Sequence, residues 1–112
     1  MTTIFRRARA AGLVAAGLGA VAAGTAMGDE ALGERIFMEG AGGLPACALC
    51  HVLADAGATG AIGPDLDQLR PDADRIRAAV RDGVGIMPAF GEALSAEEIE
   101  AVVDYVANAV AD

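Results

Sequence analysis

Lysine and tryptophan are absent from the 112-residue chain, histidine and tyrosine occur once each, and cysteine only twice. Each scarcity excludes something. A structural zinc site takes four ligands, usually Cys and His, and Cys47, Cys50 and His51 are all the chain has of these two types. An iron–sulfur cluster wants more thiolates than two. Alternating β-branched runs are missing as well, so no strand is expected and helix formers dominate. Basic residues are few, eight against 16 acidic ones for a net charge of −8. Such a surface repels nucleic acid and anionic lipid and attracts a basic protein.

Acidic residues are also absent before Asp29. The chain opens on a basic head, MTTIFRRARA, continues in an uncharged run from Ala10 to Gly28, and ends that run on small residues. This is the pattern of a secretory signal peptide. Ala26-Met27-Gly28 fits cleavage before Asp29, and Gly24-Thr25-Ala26 fits a slightly earlier cut. Residues 1–28 are therefore expected to be a cleaved leader, and residues 29–112 one exported, periplasmic domain. The alternative is an uncleaved membrane anchor, but Ala and Gly bury little apolar area and make a weak span. Arg6-Arg7 is followed by Ala8-Arg9, which does not read as a twin-arginine signal, so export unfolded with later cofactor addition is expected. Cleavage leaves Arg35, Arg70, Arg75, Arg77 and Arg81 against all 16 acidic residues, a more negative protein than the full chain.

Three helices are predicted in the remainder. The first runs from about Asp29 to Glu39, with Leu32, Ile36 and Phe37 on one side and Gly40 to end it. A second runs from about Asp72 to Asp82, between Pro71 and Gly83. The last begins at the capping box Ser95-Ala96-Glu97-Glu98, after which Ile99, Val102, Val103, Val106 and Val110 recur at helical spacing. The rest reads as loop, with Pro45 opening a short turn that carries the cysteines. Few aromatics survive in residues 29–112, only Phe37, Phe90 and Tyr105. A small domain with so little side-chain volume needs something else to fill its centre.

The stretch CALCH, Cys47 to His51, admits three readings. A thioredoxin-type CxxC needs a strand before it and a helix N-terminus to stabilise the thiolate, and a Gly-rich loop precedes Cys47 instead. Zinc lacks its ligands, as above. Haem attachment needs only these residues: two thiols on a helical turn add to two vinyl groups, and the adjoining histidine meets the iron. A sixth ligand from the chain is then required for an electron carrier, often Met. Met87 lies in GVGIMPAF, where Pro88 disfavours helix and presents the thioether from an extended loop. Met38, beside Phe37 in the first helix, reads as a packing residue. His51 also needs a partner for its other ring nitrogen, and Gly63-Pro64 offers a backbone carbonyl with no proline N–H to compete.

The ordered set CALCH, GPDL at Gly63–Leu66 and IMPAF at Ile86–Phe90, between two terminal helices, resembles a class I c-type cytochrome. The resemblance implies an all-α, small cytochrome c fold, three to four helices and loops wrapped around one covalently attached haem. It implies haem c bound through Cys47 and Cys50, axial ligands His51 and Met87, and a Pro64 carbonyl accepting from His51. Gly33 and Phe37 would meet Tyr105 where the terminal helices cross. The family's aromatic contacts to the haem propionates have no tryptophan to supply them, and Arg70, Arg75 or Arg77 stands as a replacement.

A narrower likeness links CALCHVLADAGATGAIGPDLDQLRPDADRIRAAV and GIMPAF to the haem subunit of bacterial sulfite dehydrogenases. It implies a molybdenum subunit as electron donor and a downstream cytochrome or oxidase as acceptor. The expectation is an electron carrier, not an enzyme, whose partners have a basic docking face. A haem-based small-ligand sensor or peroxidase-like protein, and a haem-free CxxC thiol–disulfide protein, are the competing readings.

Overall fold

The computed structural model describes residues 29–111; the expected leader, its cleavage and its alternative as an anchor lie outside them. Four helices follow in chain order: α1 Glu30–Glu39, α2 Leu66–Leu69, α3 Ala73–Asp82 and α4 Ala96–Val110. None of the described helices is long and apolar enough to cross a membrane.

Each helix starts at a side chain that satisfies its first N–H groups. The Asp29 carboxylate accepts from the Ala31 N–H at 2.9 Å, and Asp72 accepts from that of Arg75 at 2.8 Å. At α4 the Ser95 hydroxyl accepts from Glu98 at 3.1 Å and the Glu98 carboxylate from Ser95 at 2.8 Å, closing the capping box. Gly40 and Gly83 end α1 and α3, their N–H groups reaching the Ile36 and Ala79 carbonyls.

The terminal helices cross at Gly33. A Cβ built there would lie 2.1 Å from the Ala101 carbonyl oxygen and 2.7 Å from the Tyr105 Cβ, so only glycine allows this approach. Beside it the rings of Phe37 and Tyr105 meet edge to face, centroids 6.0 Å apart, a pairing worth about 0.5–1.5 kcal/mol beyond the area it buries. Ile36, Val102, Val103 and Val106 complete this core. The third helix is fastened to the fourth by Arg77, whose Nε and a terminal nitrogen each donate to Glu100 at 2.7 Å.

Three features depart from the sequence reading. Val52–Leu53 pairs antiparallel with Ala58–Thr59, in register Val52 with Thr59 and Leu53 with Ala58, where no strand was expected. Two residues a side are too few to write a period-2 pattern; the pairing is imposed by the tight turn at Ala54–Ala56 and Gly57. Helix α2 is a single turn capped by Asp65, which accepts from Asp67 and Gln68, inside a stretch read as loop. Met38 is not a packing residue but 43% exposed, because Ile36 and Phe37 take the inward positions of α1 and the helical step turns the next residue outward.

Candidate functional site

Against the terminal-helix crossing, and sharing Phe37, Val102 and Val106 with it, lies a cavity of about 400 Å³, within the usual range of about 300–1,000 Å³ for small-molecule and cofactor sites. Its walls come from all four helices and from the loops that carry the cysteines, Pro64 and Met87. Ile76 and Val80 of α3 and Val102 and Val106 of α4 line it, and so do Cys47, Cys50, His51, Pro64 and Met87. The structure thus brings together all five residues that the sequence singled out.

Cys47–Leu49 forms a 3₁₀ turn, closed by the N–H groups of Cys50 and His51 on the Cys47 carbonyl at 3.1 and 3.0 Å. The turn puts both cysteines in the cavity wall and leaves Leu49 exposed. Both thiols are free. Burial pushes Cys47 up to about 11, outweighing a backbone hydrogen bond that lowers it, with Cys50 adding a small upward push. Redox-active dithiols have a depressed thiolate pKa, the opposite direction from that of Cys47.

From Cys50 the chain runs out and back as a lasso. The Gly63 N–H donates to the Cys50 carbonyl at 2.7 Å, and His51 Nδ1 donates to the Pro64 carbonyl at 2.7 Å. A Cβ on Gly63 would stand 2.6 Å from His51 Cε1, so the imidazole is held between a carbonyl and a bare backbone. That fixes the tautomer with the proton on Nδ1 and leaves the lone pair on Nε2. The lasso is braced from both sides: Asp67 accepts from the Ala54 N–H at 2.8 Å, and Asp55 accepts from the Tyr105 hydroxyl at 2.7 Å.

Met87 arrives on a second tight turn. Val84 and Met87 exchange backbone hydrogen bonds of 3.2 and 2.9 Å around Gly85, at φ +56°. The strap is then pinned to the end of α3, where the Phe90 and Gly91 N–H groups donate to the Val80 and Arg81 carbonyls. The thioether is half-buried in the cavity wall, while neighbouring Ile86 is 84% exposed.

Neither Asp55 nor the Tyr105 hydroxyl is marked as a brace by any local sequence pattern. Asp67 lies in Asp65-x-Asp67, which carries a local signal, that of a helix cap. The three candidate arginines separate: Arg75 lines the cavity, Arg77 is held by Glu100 and Asp74, and Arg70 occupies the left-handed position that ends α2.

The donor set fits a haem: a broad apolar chamber, two thiols one turn apart, and an oriented imidazole and a thioether on separate segments. When bound, haem c supplies a one-electron ferric–ferrous couple. Residues 28–106 match the family model for cytochrome c oxidase, cbb3-type, subunit III. Cytochrome c-551 of Halorhodospira halochloris is 32% identical over 79 residues, which is 70% of this chain and 98% of that protein. The crystal structure of the c-type cytochrome SorU from Sinorhizobium meliloti aligns with a TM-score of 0.66 at 54% identity, over 72% of this chain and 90% of that one. Fold, attachment motif and relatives agree: the chain belongs to the c-type cytochromes, as a class I monohaem electron carrier with one covalently bound haem c.

Proposed function

We propose that this cytochrome works in the periplasm after loss of residues 1–28, with His51 and Met87 as the axial ligands of its iron and Cys47 and Cys50 as the attachment points. The observation that carries the ligand assignment is that His51 and Met87 line one apolar cavity, with the His51 ring already oriented by the Pro64 carbonyl. Two protein ligands leave no iron position for substrate, which suits a carrier, and a methionine ligand raises the potential. The test is the weak long-wavelength absorption of ferric iron bound to Met sulfur. It is expected in the wild type and absent in Met87→Ala, which in turn binds cyanide and carbon monoxide rapidly. A wild type that lacks the band and takes up carbon monoxide at once overturns the ligand set in favour of ligand sensing.

The likeness of CALCHV…AAV and GIMPAF to the haem subunit of bacterial sulfite dehydrogenases supports a molybdenum sulfite dehydrogenase as electron donor, with a cytochrome or oxidase downstream. The excess of acidic residues supports a basic docking face on these partners. Mixed with such a donor and sulfite, the cytochrome is expected to be reduced quickly, at a rate that falls steeply as salt is added. A rate that rises with salt reverses the polarity.

A further inference from the structure

We infer that Arg75 holds the carboxylate edge of the haem, pairing with its propionates. The inference rests on the haem assignment of the cavity. Haem carries two carboxylates, and a carboxylate at the edge of an apolar chamber needs a donor or stays at a cost. Among the described side chains lining this cavity, Arg75 is the only charged one; the others are hydrocarbons, the two thiols, the Met87 thioether and the His51 imidazole. His51 has one nitrogen on the Pro64 carbonyl and the other committed to iron in the proposed ligation.

The alternatives are engaged elsewhere. Tyrosine and tryptophan are common donors at such a position, but there is no tryptophan, and the single tyrosine hydroxyl donates to Asp55. Arg77 lies two residues along α3, and its guanidinium forks onto Glu100 and reaches Asp74 at 2.8 Å. Asp72 takes the Arg75 backbone N–H, and the Arg75 residue lines the cavity from the first turn of α3. A guanidinium fork matches the two oxygens of a carboxylate, which an ammonium does not.

The experiment compares holoprotein of the wild type, Arg75→Gln, Arg75→Lys and Arg77→Gln. Resonance Raman reads the propionate bending bands, and a redox titration reads the ferrous-to-ferric ratio at one fixed poise. In Arg75→Gln the propionate band should shift and the ratio fall about two- to fivefold, the scale of an exposed ion pair. Arg75→Lys should restore the ratio but not the band position, since it returns the charge without the fork. Arg77→Gln should move neither. An unmoved band in Arg75→Gln with its sharp α-band intact overturns the assignment and leaves the haem reading standing. If Arg75→Gln fails to mature, Arg75→Lys decides, and a wild-type band position there overturns it equally. A colourless wild type would sink the haem reading itself.

Discussion

The two halves of this molecule are stabilised by different means. Where α1 crosses α4, side chains alone make a core: Gly33 admits the backbone of Ala101, Phe37 and Tyr105 interlock, and Val103 is completely buried. On the cavity side, loops replace helices and the chain closes on itself through backbone bonds, Gly63 to Cys50 and Val84 to Met87. Ile62, Val84 and Ile86 stay exposed there, at the rim of a chamber of about 400 Å³. One half is finished by packing, and the other is shaped to be finished by a prosthetic group. A domain with three aromatics in residues 29–112 can afford a single well-packed seam, and Phe37, Val102 and Val106 of that seam also form a wall of the cavity.

The sharpest way to break that comparison is to put the same methyl group into each half. Gly33→Ala drives a Cβ into the Ala101 carbonyl. Its cost should reach or exceed the upper end of the about 1–3 kcal/mol typical of overpacking, far more than the helix propensity gained. Gly85→Ala meets no atom within 4 Å and faces only the penalty of a positive φ, about 1–2 kcal/mol. Denaturant titration of the two holoproteins checks the order. Equal costs would mean that the crossing is looser than its geometry implies. Only the Gly85 variant should disturb the absorption expected of a Met-ligated iron, since its strap carries the proposed ligand Met87.

Tyr105→Phe is a smaller probe, aimed at a side-chain bond that ties the loop after the cysteine motif to α4. Loss of the hydroxyl on Asp55 should cost about 1 kcal/mol at neutral pH. Burial, with Asp55 adding to it, pushes the phenol well above its ordinary range. The folded state therefore favours the protonated form. That contribution is full below the ordinary tyrosine value of about 10 and is lost as the pH rises towards the folded one. The wild type should lose stability faster than the variant above about pH 10. Parallel profiles would show that the phenol is not held protonated by the fold.

The same division explains what could be read from the sequence. Helix starts at Ser95 and Asp72 and stops at Gly40 and Gly83 are local signals, and each lies where the caps require. CALCH, Gly63-Pro64 and Met87-Pro88 are local too, and the fold carries all of them to one cavity. Elements of two to four residues, such as the small hairpin and α2, write no periodicity and were invisible. So was the Asp55–Tyr105 bond, whose partners stand 50 positions apart. The apolar face of α4 was legible as buried. Nothing in its spacing distinguished Val102 and Val106, which reach the cavity wall, from Val103, which packs only into the core.

The most direct test is a visible spectrum of the holoprotein, oxidised, reduced and then denatured in acidified solvent, made in a host able to attach haem c. The account predicts a sharp reduced α-band, and colour that stays with the polypeptide on denaturation unless Cys47 and Cys50 are replaced by Ala. A colourless protein, or a pigment that washes free of the intact chain, would contradict it.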